Sequence, residues 1–158
     1  MKKVATIGSR STPINILVLM EKIGAYLASS GYIVASGNCT GADQAFARGA
    51  NTVDPTCVDL YLPWSTYERN AIVKGNQVKV VNEALDYNWF TEAEKFHPNW
   101  DNLKDSVRKL MARNIGIVEN SCQVICWMDP KNTGGTGMGV RAATAYGIPV
   151  LNLYDNKD

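Results

Sequence analysis

Apolar residues along the chain fall into two patterns that take turns. Short, nearly unbroken apolar runs at 4–7, 32–35, 58–62, 123–128 and 149–153 read as buried strands. Between them the spacing becomes helical. Ile16, Met20, Ile23 and Leu27 make one inward stripe, with Glu21 and Lys22 on the wet side. Leu103, Val107, Leu110, Met111 and Val118 make another within 102–120, and shorter helices are predicted at 44–49 and 140–146. No clear period marks residues 71–82. Strands that alternate with helices predict an α/β domain: a mainly parallel sheet with helices on both faces.

The strand ends empty into small-residue loops. The first, Gly8-Ser9-Arg10-Ser11-Thr12-Pro13, offers a glycine, hydroxyls and a guanidinium fork suited to phosphate or carboxylate. It also reads as a helix start, with Ser11 or Thr12 capping and Pro13 at the first helical position. The second runs Ser36-Gly37-Asn38-Cys39-Thr40-Gly41-Ala42-Asp43, where Asp43 bonds a ribose hydroxyl or caps the following helix. The third is a glycine-rich turn from Thr133 to Gly139, with Gly134, Gly135, Thr136 and Gly137 at its centre, ahead of the helix expected near Val140. In a parallel sheet such loops gather along one edge, where ligands bind. Three of them together predict a site for a nucleotide or another phosphorylated ligand, although none is a Walker A or a complete GxGxxG motif.

Other residues have two open readings. Trp64, with Tyr67, stacks on a base or packs under the sheet. Asn114 falls on the buried stripe between Leu110 and Val118, so its amide needs partners; it anchors a neighbouring loop or reaches the cleft beside Arg113. The aromatic run Tyr87, Trp89, Phe90, Phe96 and Trp100 is an inserted lid, a dimer contact or ordinary core.

Composition narrows the function. The 158 residues fit one domain, and sixteen basic against fifteen acidic residues leave a formal charge of +1, so no global field draws a polyanion. No apolar run approaches the roughly 20 residues of a membrane span, and the start runs directly into strand-like sequence, so a cytoplasmic protein is expected. Cys39, Cys57, Cys122 and Cys126 lack zinc-site spacing and are expected to be reduced core residues; a shared strand would hold Cys122 and Cys126 about 13 Å apart. The single histidine, His97, is read as structural or exposed. No metal and no cofactor is called for.

The segments Gly8-Ser9-Arg10, Ser36-Gly37-Asn38 through Gly41-Ala42-Asp43, and Gly134-Gly135-Thr136-Gly137 resemble the SLOG superfamily, which includes the DNA-processing protein DprA and the LOG phosphoribohydrolases. The resemblance is closest to short DprA-like proteins often encoded by bacteriophages, through stretches 41–50, 60–64, 97–114 and 134–153. It covers most of the chain. It implies a single Rossmann-like domain over 1–158 with an aromatic-rich insertion around 83–101. It further implies a homo-oligomer in a bacterial or phage-infected cell, and a cleft used for nucleotides, ADP-ribose-like signals or single-stranded DNA. From the three loops, the expectation is that the 134–137 turn and Arg10 hold phosphate, the 36–43 loop holds ribose and an aromatic such as Trp64 covers the base, with Arg113 and Asn114 as further cleft candidates.

The departures bear on chemistry. Where LOG enzymes carry proline, threonine and a catalytic glutamate, this chain has Thr133, Met138 and Arg141. A cation in place of the acid argues against phosphoribohydrolase activity unless Glu68 or Asp43 substitutes. The expectation is a protein that binds a nucleotide-derived molecule without turnover, such as a cyclic ADP-ribose-type or cyclic oligonucleotide signal that a phage would sequester. The alternatives are a recombination mediator on single-stranded DNA and a nucleotide N-glycosidase.

Overall fold

The computed structural model describes residues 2–131 and 134–154. Thr133 and the tail from residue 155 onward therefore lie outside the described residues. Six strands, β1 (Lys3–Gly8), β2 (Ile33–Ser36), β3 (Val58–Leu62), β4 (Gln77–Val80), β5 (Gln123–Trp127) and β6 (Val150–Asn152), form one parallel sheet in the order β4-β3-β2-β1-β5-β6. In register, Ala5 of β1 sits between Ala35 of β2 and Val124 of β5. Central strands covered on both faces must be apolar on both, which is why β1 reads as a run and not as an alternation.

One face carries α1 (Ile14–Ser29) and α2 (Ala42–Asn51), with Met20, Leu27 and Phe46 packed on Val4, Val34, Leu60 and Ile125. The opposite face carries α4 (Asp105–Val118) and α5 (Gly135–Ala145), with Ile117, Val118 and Ala143 on Ala5, Ile7, Ala35 and Cys126. The helix α3 (Tyr87–Phe96) lies against α4, and buried Trp89 and Trp100 join Met111, Ile115 and Met138 in a third apolar cluster. The aromatic segment is therefore core in this protein, with Tyr87 left exposed.

Several elements differ from the sequence reading. The edge strand β4 has all four residues exposed, so it leaves no burial pattern for periodicity to record. At α1 no side chain caps the helix, and Pro13 occupies the cap position itself. The hydroxyls are engaged inside the loop instead, Ser11 with Ser9 at 2.7 Å and Thr12 Oγ1 donating to the Ser9 carbonyl at 2.6 Å. The glycine-rich stretch is not a turn up to Gly139, because α5 already starts at Gly135. Its glycines allow close helix packing: a Cβ on Gly135 would lie 2.7 Å from Asn114 Nδ2, and one on Gly139 3.1 Å from Ile7 Cδ1. Of the cysteines, all four free, Cys57 and Cys126 are buried, Cys39 is half-buried and Cys122 is exposed, which corrects the expectation that all are core.

The first two helices meet backbone to backbone. A Cβ on Gly49 would stand 1.8 Å from the Glu21 carbonyl oxygen, and one on Gly24 2.0 Å from that of Phe46. Gly49→Ala is therefore expected to wedge α1 off α2 and lower stability by about 1–3 kcal/mol or more. Urea denaturation checks this, and an unchanged midpoint would show that the helices have slack.

Candidate functional site

The chain leaves β1 toward β2 and leaves β5 toward β6, so the carboxyl ends of these neighbouring strands part at the point where the strand order reverses. A cleft of about 300 Å³ opens there. Its floor is Ile7 and Gly8 of β1, its near wall Ser9 and Arg10, and its far wall the start of α5 at Gly134, Gly135 and Thr136. From α4 come Leu110, Met111, Arg113 and Asn114, and from the β2 and β3 loops Cys39, Asp43 and Tyr67.

Nine of the residues singled out in the sequence thus line one cavity: Gly8, Ser9, Arg10, Asp43, Arg113, Asn114, Gly134, Gly135 and Thr136. The others do not. Ser36 is buried, its hydroxyl donating to the Asp43 carbonyl at 3.0 Å and accepting from the Asn38 amide at 3.1 Å. Gly37 lies behind Asp43 and Arg113, whose atoms would meet its Cβ at 2.8 and 2.5 Å. Gly41 caps α2 at a φ of 96°, and Ala42 packs its methyl against Gly8. Gly137 is buried within α5, and Asn38 faces a different hollow. Trp64 stands edge-on behind Tyr67, ring centres 5.4 Å apart, and the ring on the cleft is Tyr67.

Ile7, Cys39, Leu110 and Met111 also line the cleft, none of them a site candidate in the sequence, and so does Tyr67, which the sequence offers beside Trp64 as a ring for a base. The helical stripe that contains Leu110 and Met111 was legible, but which part of a core stripe meets a cleft depends on where strands end. Cys39 sits within the second glycine loop, and that position was its only signal.

Two buried charges organise the rim. Arg113, 4% exposed, donates to the Gly37 carbonyl, to the Tyr61 carbonyl at 3.3 Å and to the Leu110 carbonyl at 3.3 Å, while its guanidinium lies 5.4 Å from the Tyr67 ring centre. It is engaged by the protein itself. Asp43, also 4% exposed, sits in the first turn of α2 without capping it. The backbone N–H groups of Cys39 and Gly37, in the loop after β2, and of Gly8, at the end of β1, favour its ionised form. Burial pushes its pKa up to about 6, against the opposing pull of Arg113 and those amides. Arg10 is different. It is exposed, its Nε donates to Cys39 Sγ at 3.2 Å, and its guanidinium is a cation at the mouth. The N-terminus of α5 adds the positive end of its dipole, so the cleft favours an anion.

Neither acid proposed as a substitute is placed simply for catalysis. Glu68 does not line the cleft, and Asp43 is held by three amides. Arg141 turns toward α3, donating from Nε to the Phe96 carbonyl at 2.8 Å. His97 is buried beside it, its Nδ1 accepting from the Asn99 amide at 3.1 Å, and burial followed by the field of Arg141 lowers its pKa. Among the described residues no group of three or more His, Cys, Asp or Glu could hold a metal, and no helix is long and apolar enough to cross a membrane.

No protein-family model matches the sequence, and no curated protein matches it. Solved structures do. DNA processing protein A from Helicobacter pylori, whose structure concerns single-stranded DNA binding, superimposes with a TM-score of 0.67 at 21% identity over 94% of this chain and 63% of that one. DprA from Streptococcus pneumoniae gives 0.66 at 22% identity, over 95% of this chain and 49% of the other. The molybdenum cofactor carrier protein of Chlamydomonas reinhardtii gives 0.60 at 18% identity, over 95% and 75%. The chain thus spans about half to two thirds of the DprA chains it matches. What it shares with all three is the fold, in this chain a Rossmann-like arrangement of helices about one parallel sheet.

Proposed function

We propose that the cleft binds the phosphate of a nucleotide-type small molecule and releases the molecule unchanged. The supporting observation is the convergence of the β1 loop, the exposed Arg10 guanidinium and the α5 N-terminus on one cavity of about 300 Å³. That volume is at the small end for ligand sites and suits one nucleotide unit. Arg10 and the first turn of α5 take the phosphate, and Tyr67, not Trp64, is the ring placed to contact the remainder. The LOG glutamate position carries Arg141, which faces α3, so the site holds a ligand without an acid aimed at its glycosidic bond. A nucleotide signal held stoichiometrically by abundant protein would be removed by mass action, which is how a sequestering role would operate.

A second reading is favoured by the fold shared with the H. pylori protein, for which single-stranded DNA binding is described. In it the cleft takes one phosphate of a strand. The near-neutral net charge of +1 makes such binding weak and steeply salt-dependent for a single chain.

Calorimetry against cyclic and linear nucleotides, beside a single-stranded oligonucleotide at low and moderate salt, separates the two. Small nucleotides should bind with little loss on raising salt, and Arg10→Ala should weaken them about 10- to 100-fold, the worth of a charge-assisted hydrogen bond. Binding by the oligonucleotide alone would favour the second reading, and no binding by either at high micromolar concentration would remove both.

Asp43 makes the binding proton-linked. Its carboxyl titrates near 6 in a cleft that receives a second negative charge, and that charge raises its pKa further. Between pH 6 and 8 the free protein is mostly ionised at Asp43, so binding takes up a proton and affinity falls as pH rises. A phosphodiester ligand, which does not titrate in this range, measured in buffers of different ionisation enthalpy gives the uptake directly. No uptake, or uptake that persists in Asp43→Asn, would place the anion away from Asp43.

A further inference from the structure

The cleft brings a thiol, a cation and a phenol together. Cys39 is half-buried on the cleft, and its Sγ accepts from Arg10 Nε at 3.2 Å. Tyr67, 7% exposed, lines the cleft too. Its hydroxyl oxygen is buried close to the Cys39 thiol and the Arg10 guanidinium, yet lies outside hydrogen-bond geometry with either and has no other partner. The ring is packed in place, with Trp64 edge-on at 5.4 Å between ring centres and the Arg113 guanidinium 5.4 Å from its own centre. A buried polar group held unpaired in this way calls for a reason, and a redox or catalytic role is one.

The sulfur is held as firmly as the ring. The Cys39 carbonyl accepts from the Gln44 amide at 3.1 Å, and the Asn38 carbonyl before it accepts from Gln44 Nε2 at 3.1 Å. Asn38 and Glu68, the chain neighbours of Cys39 and Tyr67, line the second hollow and have left-handed backbones, φ 60° and 46°. Their turns leave the thiol and the phenol on the cleft side. The other cysteines lack this setting. Cys57 and Cys126 are buried, and Cys122, although exposed, precedes β5 at the amino edge of the sheet, away from the cleft. A partly exposed thiol beside a cation is the surrounding that separates reactive cysteines from inert ones.

We propose that Cys39 is a site of reversible oxidation by hydrogen peroxide, and that its oxidised form closes the cleft to anions. The second half rests on the phosphate reading above; the first does not. The sulfur attacks one peroxide oxygen, the O–O bond breaks, and the other oxygen leaves as hydroxide and takes the thiol proton to become water. Sulfur ends as a sulfenic acid, and a dithiol returns it to the thiol while becoming a disulfide and releasing water. Arg10 stabilises the negative charge that develops on the departing oxygen, and the Tyr67 hydroxyl donates to that oxygen, which gives the phenol the acceptor it lacks. The oxygen added to Sγ then competes with phosphate for the Arg10 guanidinium.

The test treats the full chain with hydrogen peroxide, traps sulfenic acid with dimedone and maps the adduct by mass spectrometry, with Cys122 as the reference thiol in the same molecule. Cys39 should label about tenfold or more faster than Cys122. Tyr67→Phe keeps the packed ring and deletes the hydroxyl, and should bring Cys39 to within about threefold of Cys122. Labelling at Cys122 alone, no labelling, or a Tyr67→Phe chain as fast as the wild type would overturn the proposal. Calorimetry with inorganic phosphate on the reduced, oxidised and dithiothreitol-treated chain reads the second half. Oxidation should weaken phosphate about tenfold or more, the reductant should restore it, and Cys39→Ser should show one affinity before and after peroxide. Equal affinity in the reduced and oxidised wild-type chain would overturn the closing of the cleft. A reduced chain that binds no phosphate would remove the phosphate reading and the closing with it, while the labelling decides the oxidation by itself.

Discussion

Backbone amides from the end of β1 and from the loop after β2 meet at one buried carboxylate, and the site depends on that convergence. Asp43 draws the Gly8, Gly37 and Cys39 backbones together, and Arg113, reaching from α4 on the opposite face of the sheet, fixes the Gly37 and Tyr61 carbonyls. Removing the carboxylate would leave inward-facing amides unpaired, and removing the guanidinium would leave a buried anion and several carbonyls without a donor. The glycines answer the same demand. At Gly8 a side chain would meet the Ala42 methyl at 2.4 Å, and at Gly37 it would meet Arg113 and Asp43. They permit the close approach that brings strand end and helix start onto the two charges. Accordingly, the glycine loops give the cleft its shape more than they wrap the ligand.

This division of labour explains why the sequence showed the fold more fully than the site. The central strands announced themselves because both faces are buried, and α1 and α4 because their stripes are long. The strand β4 had no such mark, since an exposed edge strand of Gln77-Val78-Lys79-Val80 obeys no burial pattern. In the sequence the start of α5 reads as a turn because glycine disfavours helix in isolation, whereas in the fold tertiary packing against Asn114 and Ile7 outweighs that preference.

The site was legible as loops but not as orientations. In the sequence Asp43 reads as a cap or a ribose ligand, whereas in the fold it is set between the nearby Gly37 and Cys39 backbones and two groups far away in the chain, Gly8 and Arg113. Arg10 and Arg113 are both cleft candidates in the sequence, yet one is exposed and the other is surrounded by carbonyls. Consecutive residues likewise part company: Cys39 and Tyr67 face the cleft, Asn38 and Glu68 the hollow. Left-handed backbones at Asn38 and Glu68 set these directions, and a glutamate in that conformation cannot be foreseen from composition.

The most direct measurement is a titration of ¹⁵N-labelled protein with inorganic phosphate and then with adenosine 5′-monophosphate, followed by amide NMR. Saturable shifts centred on Gly8, Ser9, Arg10, Gly134, Gly135 and Thr136, appearing with phosphate alone, are the expected result. Shifts confined to other surfaces, or none at millimolar ligand, would contradict an anion site at the meeting of the β1 and β5 strand ends.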